Sequence, residues 1–396
     1  MTESEWKKVR LTDFVWFQRG FDLPKNKFMP GNIPVYGSTS ILGYHNQSKV
    51  KGPGIITGRS GTIGKFQYST GEFWPHNTSL WVKDFKGNSP KFAFYLLNCL
   101  DFKSMNTGGA VPTLNRNLLS SFIVDVPSIK TQKKIASILS AYDDLIENNL
   151  KRIKLLEEKA QLTYEEWFVR MKYPGHENDS VDSETGLPRG WTKNKFSTHF
   201  EIQNGYAFKS EDYRNNGIEI LRTKDYSSTK WVNKNDPIYI GETQAKSFRK
   251  YLTKPFDLML IMVGASIGNY GIVLPKDRGM LQNQNQWAIR SKKENLVFYK
   301  LVMMERLIAS LKSKKTGAAR DFFRSSFLKE MNVIIPSESI IKRLNIILEP
   351  SYNLINTLFE ENDSLISIRE ILLPRLMSGM IDVNEIMYNY PKEILE

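Results

Sequence analysis

The 396-residue sequence has one cysteine, four histidines and no long uncharged apolar run. The lone Cys99 excludes a disulfide framework and fits a reducing compartment. The histidines, at positions 45, 76, 176 and 199, lack metal-ligand spacing, so no metal site is expected. The longest apolar stretch, Leu258–Leu274, is broken by glycines and is shorter than the roughly 20 residues that cross a bilayer. No secretory leader is visible, so we expect a soluble, cytoplasmic protein without membrane contact.

Motifs of catalysis are also missing. Gly58–Lys65 superficially resembles a phosphate-binding loop, but its outer glycines enclose five residues instead of the required four, and Phe66 follows the lysine. The sequence has no dinucleotide-binding glycine pattern, no Asn/Asp-Pro-Pro-aromatic run of an adenine methylase and no nucleophile elbow. We therefore expect a binding protein with no catalytic residues, no bound cofactor and no small-molecule substrate. A fused methylase or nuclease stays an alternative.

The net charge of +13 is distributed in blocks. Residues 1–127 carry 15 basic and 8 acidic side chains, and residues 191–336 carry 25 and 13. The remaining segments, 128–172, 173–190 and 337–396, have net charges of +2, −3 and −5. Two separated basic blocks indicate two surfaces for a polyanion such as DNA. A basic protein with no nucleic-acid partner is the alternative on charge alone.

An internal repeat explains the two blocks. Residues of the first half recur in the same order in the second: Trp6, Gln18, Gly20 and Phe21 as Trp191, Gln203, Gly205 and Tyr206; Ser60–Gly64 as Gly264–Gly268; Asn77 and Trp81 as Asn283 and Trp287; Thr107-Gly108 as Thr316-Gly317; Pro127-Ser128 as Pro336-Ser337. Each match is weak, but their collinear order predicts two copies of one module.

Each module is predicted to be a mixed α/β domain followed by a long helix, which makes the fold class α+β. Short strands are expected at 54–57, 80–82, 122–126, 258–263, 287–289 and 332–335, and helices at 90–100 and 296–311. The predicted segments are a first globular domain at 1–127, a first long helix at 128–172, an acidic linker at 173–190, a second domain at 191–336, a second long helix at 337–380 and a C-terminal tail at 381–396.

The long helices carry heptad seams, which are typical of coiled coils. The seam positions include Ile135, Leu139, Ile146, Asn149, Ile153 and Leu156 in the first helix and Ile355, Leu358, Asn362, Leu365, Leu372 and Leu376 in the second. Antiparallel pairing with Asn149 opposite Asn362 places Ile146 against Leu365 and makes nearly every layer apolar, with Tyr142–Arg369 as the exception. Alternatively, each helix packs on its own domain. Pro350 predicts an interruption and kink in the second helix.

Basic and amide side chains in both basic blocks are candidates for DNA contact. Lysines suit phosphates, whereas Arg, Asn and Gln can pair with base edges, and the amide run Gln282–Gln286 suits adenine. The candidates are Lys49, Lys51, Arg59, Ser60, Lys65, Asn77, Thr113, Asn115 and Arg116 in the first module, and Arg222, Lys224, Lys246, Arg249, Lys250, Ser266, Asn283, Gln284, Asn285, Lys314, Lys315, Arg320 and Arg324 in the second.

Four segments resemble the specificity subunits of type I restriction–modification systems. They are Val126–Ala136 at the entry to the first long helix, Tyr164–Gly175 at its exit, Leu187–Trp191 at the start of the second half and Leu372–Gly379 at the end of the second helix. The entry to the second helix departs from the pattern, because Ile341 replaces the counterpart of Gln132 and Ser351 replaces an apolar seam residue.

The resemblance implies two target-recognition domains that each read one half of a split double-stranded DNA sequence. It implies two helices that set the gap between the halves and hold two methyltransferase subunits. Those partners would carry S-adenosylmethionine and methylate adenine, while restriction subunits would cut DNA with ATP and Mg²⁺. A stand-alone DNA-binding regulator without enzymatic partners is the alternative.

Overall fold

The computed structural model describes residues 6–59, 64–102, 116–226, 229–233, 236–313 and 323–383. The chain folds into two compact units. The first consists of Met1–Asn148 and Asn362–Glu396, and the second of Asn149–Glu361. Each unit therefore contains one globular domain together with parts of both long helices. Within the described ranges, no helix has both the length and the apolar character that are needed to cross a membrane.

The first unit is built on a four-stranded antiparallel sheet, a three-stranded sheet and a two-stranded ribbon. Its elements are β1 (Lys7–Arg10), α1 (Leu11–Phe14), β2 (Trp16–Arg19), β3 (Ile33–Tyr36), β4 (Ile41–His45), β5 (Gly54–Gly58), β6 (Phe66–Ser69), β7 (Trp74–Pro75), β8 (Ser79–Asp84), α2 (Pro90–Cys99), β9 (Ile123–Val126) and the start of α3 (Ile129–Tyr164). Helix α2 begins after Ser89, whose hydroxyl accepts a hydrogen bond from the Phe92 amide. Pro90 occupies the first helical position and has no main-chain N–H that would need an acceptor there.

The second unit repeats this plan with two four-stranded sheets and a ribbon. Its elements are β10 (Thr192–Lys195), α4 (Phe196–His199), β11 (Phe200–Asn204), β12 (Tyr213–Arg214), β13 (Ile218–Leu221), β14 (Tyr239–Ile240), α5 (Glu242–Ala245), β15 (Leu258–Ile261), β16 (Tyr270–Ile272), β17 (Leu281–Gln282), β18 (Gln286–Ser291), α6 (Val297–Ser313), α7 (Ser325–Glu330), β19 (Asn332–Ile335) and α8 (Glu338–Met377).

The strand orders of the two units correspond, except that the smaller sheet of the second unit has the additional edge strand β12. The order β2-β8-β5-β6 in the first unit matches β11-β18-β15-β16 in the second. In both units a short parallel pair, β3 with β7 and β13 with β17, lies in the smaller sheet, and an antiparallel ribbon joins the first strand to the last. The tandem repeat and the predicted α+β fold class are therefore confirmed.

The match of Trp81 with Trp287 is wrong by one residue. Gln18 pairs with Trp81 across β2 and β8, whereas its counterpart Gln203 pairs with Ala288. Because successive side chains of a strand point to opposite faces, Trp81 packs with Ile56 and Phe73, whereas Trp287 belongs to the large core of the second unit. By the same register, Gln284 and not Asn283 is the counterpart of Asn77.

The two long helices pack antiparallel within each unit. In the first unit, Ile135 and Leu139 near the start of α3 share a core with Leu376 near the end of α8. In the second, Ile153 near the end of α3 shares a core with Ile355 and Leu358. Both cores also contain residues of the globular domains. The helices thus pair with each other and with their domains, so the two packing alternatives are combined.

Polar contacts between the helices constrain their register. In the second unit the Asn149 amide donates to Glu361 at 3.1 Å, and in the first unit Arg369 forms an ion pair with Asp143 at 2.6 Å. Each contact lies one residue from the predicted opposition. Asn149 and Asn362 are both 4% exposed, and Ile146, Leu156, Leu365 and Leu372 are partly buried. These contacts are consistent with the proposed seam; its individual layers stay predictions.

The expected interruption at Pro350 is wrong, because α8 is continuous from Glu338 to Met377, while the kink expected there stays a prediction. A proline inside a helix removes one main-chain hydrogen bond and costs about 3 kcal/mol. Here the flanking residues are buried: Leu348 is fully buried and Tyr352 is 6% exposed. Ser351, the polar seam residue, donates its hydroxyl to the Ile347 carbonyl at 2.8 Å. The burial of these flanking residues offsets the missing backbone hydrogen bond.

The predicted linker at 173–190 is folded onto the second unit. Its first residue, Tyr173, is 2% exposed and packs on Trp191 with ring centroids 5.0 Å apart. Leu187 is also buried in the same core, and the Asp182 carboxylate accepts hydrogen bonds from the Thr185 amide and hydroxyl. Its acidic composition is therefore compatible with a fixed conformation.

Replacing Leu139 with alanine should destabilise the first unit. Leu139 is fully buried in the core that α3 and α8 share, so Leu139→Ala should lower the free energy of unfolding by about 2–5 kcal/mol. Leu145 lies on the same helix but is 48% exposed, and Leu145→Ala should change that free energy by less than about 0.5 kcal/mol. Urea denaturation of the purified chain measures both values. Equal losses would contradict this packing.

Candidate nucleic-acid interface

The amide run of the second unit is divided by its fold. Gln282 and Gln286 are fully buried, and their side-chain amides donate to the main-chain carbonyls of Gln203 and Leu221 at 3.1 and 2.6 Å. Gln284 and Asn285 are exposed in the turn between β17 and β18, and Asn285 has a φ of +70°. The outer glutamines therefore hold the turn in place, and Gln284 and Asn285 present their side-chain amides to solvent.

Aromatic and basic residues lie beside this turn. Tyr206 forms a β-bridge with Asn283, and a Cβ on the preceding Gly205 would lie 1.8 Å from the Asn283 carbonyl oxygen, so only glycine fits there. The Tyr206 ring packs on Phe248 and Tyr251 at 4.6 and 5.3 Å between centroids. These two rings belong to a 3-10 helix, Lys246–Tyr251, that also carries the exposed Lys246, Arg249 and Lys250.

Two further loops border the same turn. The Met262 amide donates to the Asn285 carbonyl at 3.1 Å, and the Phe323 amide donates to the Met262 carbonyl at 2.8 Å. These bonds bring the loop of Ser266 and the segment of Arg324 to the turn. We call Tyr206, the helix Lys246–Tyr251, Ser266, Asn283–Asn285 and Arg324 the second turn surface.

Arg222 and Lys224 have partners within the protein. The Arg222 side chain, 14% exposed, contacts the Asp225 carboxylate and the Asp236 carbonyl, and Lys224 pairs with the Asp236 carboxylate at 3.1 Å. That pairing lowers the pKa of Asp236. These contacts fix the loop after β13 and favour a structural role for Arg222, while Lys224 stays exposed.

A buried network of charged and polar side chains is joined by hydrogen bonds to the second turn surface. Arg290 binds Asp257 through two hydrogen bonds of 2.8 and 2.6 Å and donates to the Gln203 side-chain oxygen at 2.8 Å. Gln203 in turn donates to the Lys250 carbonyl at 2.6 Å. Nearby Lys300 is 2% exposed, and burial lowers the pKa of its ammonium to about 8 against the opposing effect of Asp257. The network connects the core to the basic 3-10 helix.

The first unit has an equivalent turn at Asn77-Thr78. Phe21 forms a β-bridge with His76, and a Cβ on Gly20 would lie 2.1 Å from the His76 carbonyl oxygen, as at Gly205. Three groups contact the turn: Arg19 Nε donates to the Asn77 carbonyl at 3.2 Å, and the Ser38 hydroxyl and the Arg59 amide donate to the Thr78 carbonyl at 3.0 and 3.1 Å.

Lys49 lies above the Trp74 ring, 4.9 Å from its centroid, so a cation is also held beside this turn. We call Arg19, Ser38, Lys49, Arg59 and Asn77-Thr78 the first turn surface. Each unit thus combines an exposed turn with neighbouring cations and aromatic rings. This combination suits a nucleic acid, whose phosphates attract the cations and whose base edges can pair with amides.

The sequence profile of the "Type I restriction modification DNA specificity domain" family matches residues 3–158 and again residues 188–365. Together these matches cover most of the chain. The chain belongs to this family. Each match contains one of the two turn surfaces, so each unit corresponds to one specificity domain.

Relatives agree with this assignment. The chain is 23% identical over 290 residues to the type I restriction enzyme MjaIX specificity subunit of Methanocaldococcus jannaschii, an alignment that covers 72% of this chain and 66%, just under two thirds, of that protein. It is 22% identical to the MjaVIII specificity subunit of the same organism, over 75% of this chain and 71% of that one. A crystal structure of a type I restriction–modification S subunit from M. genitalium has the same fold, with a TM-score of 0.60, 15% identity and coverage of 95% and 97% of the two chains.

The remaining sequence candidates in the specificity domains are placed less centrally. Lys51 and Lys65 are exposed in the first domain, and Arg116 begins the 3-10 helix Arg116–Ser121. Ser60, Thr113, Asn115, Lys314, Lys315 and Arg320 lie outside the described residues. The candidates that the structure brings together are therefore those around the two turns.

Sequence reasoning missed two features of the specificity domains. In the aromatic cluster of Tyr206, Phe248 and Tyr251, the first ring is more than 40 residues from the other two, a distance at which no local pattern is visible. Asp22, which accepts a hydrogen bond from the Asn77 amide, was also missed. The repeat of Gln-x-Gly-aromatic in both halves was the available signal, because its aromatic residue forms the bridge beside each turn, Phe21 with His76 and Tyr206 with Asn283.

Proposed function

We propose that this chain is the DNA-reading subunit of a type I restriction–modification complex. Each specificity domain binds one half of a split target in double-stranded DNA, with its turn at the base edges and its lysines at phosphates. The observation that carries this proposal is the equivalence of the two turns: the same glycine, bridge and exposed turn occur once in each unit, in a chain whose family is named for DNA specificity.

We further propose that α3 and α8 fix the separation of the half-sites and hold two methyltransferase subunits, to which restriction subunits are added. S-adenosylmethionine, ATP and Mg²⁺ belong to those partners, and the chain itself contributes recognition without catalysis. This assembly operates in the cytoplasm, where the genome is accessible. The runner-up function is a DNA-binding regulator that has no enzymatic partner.

Purification of the tagged chain from its host distinguishes the two functions. The proposal expects a methyltransferase subunit to copurify with the chain and the resulting complex to methylate adenine in duplex DNA. The chain alone is expected to transfer no methyl group. Isolation of the chain as a DNA-binding protein without a methyltransferase would favour the regulator, whereas methyl transfer by the chain alone would establish an enzyme.

Removing lysines from the second turn surface should change the salt dependence of DNA binding. The logarithm of the binding constant falls as the logarithm of the salt concentration rises, and each lost phosphate contact makes that slope shallower by about 0.9 in B-DNA. The double variant Lys246→Ala/Lys250→Ala should therefore have a slope smaller by about 1–2, measured by titration of the complex with target duplex at several salt concentrations. Lys195 is similarly exposed but pairs with Glu330, so Lys195→Ala is the control with an unchanged slope. An unchanged slope in the double variant would contradict the phosphate contacts.

A further inference from the structure

An apolar patch lies on the outer hairpin of the first unit. Met29, Ile41, Leu42 and Tyr44 are 54%, 41%, 38% and 55% exposed. Ile41, Leu42 and Tyr44 share the strand β4, and the Met29 amide donates to His45 Nδ1 at 3.0 Å at the end of that strand. Single exposed apolar residues are ordinary, but four together mark a contact surface. We call these four residues the hairpin patch.

The patch lies on an edge strand. In the described part of the first unit, β4 pairs with β3 alone, and the sheet order is β4-β3-β7. The corresponding strand of the second unit, β14, is covered by β12, and its Ile240 is fully buried. An exposed apolar edge strand is an aggregation hazard that natural proteins avoid unless something binds there. The two specificity domains therefore differ at this place.

The hairpin patch is continuous with the first turn surface. Ile41 pairs with Tyr36 across β3 and β4, and the Tyr36 carbonyl accepts a hydrogen bond from the His76 amide at 2.9 Å. Ser38, in the turn of the same hairpin, donates to Thr78. Two strand spacings place Ile41 about 10 Å from the strand that leads into the turn. The major groove of B-DNA is about 12 Å wide, so one groove can receive both features.

Charges around the patch favour DNA over an apolar protein partner. The exposed Lys25 and Lys27 precede Met29 in the chain, and the exposed Lys49 and Lys51 follow β4. Exposed cations that flank an apolar strip in the chain suit a groove, whose walls are phosphates and whose floor carries the base edges. The 5-methyl group of thymine is the apolar group that a base pair presents in the major groove.

We propose that the hairpin patch, through Ile41 and Leu42, packs on a thymine methyl group in the half-site bound by the first unit. This inference rests on the proposed function and deepens it, since it assigns recognition of one thymine methyl group in that half-site to two named side chains. The first domain then combines amide and apolar recognition, whereas the second relies on amides and aromatic rings.

Replacement of thymine by deoxyuridine tests the proposal, because it removes only the methyl group. The assembled complex is titrated with target duplexes in which each thymine of the first half-site is replaced in turn. At one position or more, affinity should fall about fourfold, the value of one buried methyl group. The variant Ile41→Ala/Leu42→Ala should bind the thymine duplex more weakly and should no longer distinguish thymine from deoxyuridine there. Ile123 is 57% exposed on β9, and Ile123→Ala is the matched control that should behave as wild type.

Several results would overturn the proposal while leaving the proposed function intact. They are wild-type binding that is indifferent to every replacement, and full discrimination in the double variant. Loss of the methyltransferase subunit from the double variant, with thymine discrimination unchanged, would show that the patch binds protein. Wild-type complex without sequence preference for any duplex would instead contradict the proposed function itself.

Discussion

Removing the two exposed amides of the second turn should abolish recognition of one half-site and leave the other intact. Gln284 and Asn285 are exposed and lie in the turn that the buried Gln282 and Gln286 hold. Each lost bidentate contact to a base costs about 1–3 kcal/mol of discrimination. Because Asn285 has a left-handed backbone, Gly is its better replacement, since alanine would add strain. The variant is therefore Gln284→Ala/Asn285→Gly.

Duplexes with one scrambled half-site measure this effect. Wild-type complex should lose affinity when either half is scrambled. The double variant should bind the intact target more weakly, should lose nothing further when the second half is scrambled, and should stay sensitive to the first half. Asn77→Ala in the first unit is the matched variant. It should reduce the sensitivity of binding to the first half-site and leave the sensitivity to the second half-site unchanged. Equal loss at both halves in either variant would show that the units do not read separately.

Removing the buried guanidinium of Arg290 should unfold or strongly destabilise the second unit. Arg290 is 7% exposed and Asp257 2% exposed, and they are joined by two hydrogen bonds. Arg290→Met leaves the Asp257 charge buried without its partner, which should lower the free energy of unfolding by about 3–5 kcal/mol. Chemical denaturation followed by circular dichroism measures the loss.

A second variant separates charge from packing. Asp257→Asn/Arg290→Met removes both charges and keeps a side-chain acceptor for the Lys254 amide, which Asp257 binds at 2.8 Å. This variant should recover most of the lost stability. Lys293, exposed two residues after β18, gives the control Lys293→Met with a change of less than about 0.5 kcal/mol. A single Arg290→Met variant as stable as wild type would contradict the role of the ion pair.

The architecture could be predicted from the sequence because the patterns that indicate it extend over many residues. Heptad seams over tens of residues predict long helices, and collinear motifs predict a repeat whatever the exact alignment. Registers are different. Trp81 was matched with Trp287 because both are tryptophan, but the strand registers differ by one residue. A shift of one residue moves a side chain to the opposite face of its strand. Local pattern could not detect that shift.

The candidate site was only partly predictable for a related reason. The run Gln282–Gln286 reads as five equivalent amides, but a tight turn between two strands buries its ends and exposes its middle. Likewise, Arg222 reads as a free cation, and only the folded loop shows its contacts with Asp225 and Asp236. The exposure of Ile41 and Leu42 was not predicted from the sequence. Exposure depends on which strand covers which edge, and that is decided by contacts distant in sequence.

Mapping methylated adenines across the host genome tests the central claim most directly. With the chain present, the proposed function predicts methylation in a bipartite motif, two short specified halves separated by a gap of fixed length. The variant Gln284→Ala/Asn285→Gly should relax one half of that motif and leave the other half and the gap unchanged. A continuous motif, a gap of variable length or methylation that is the same in a strain lacking the chain would contradict the account.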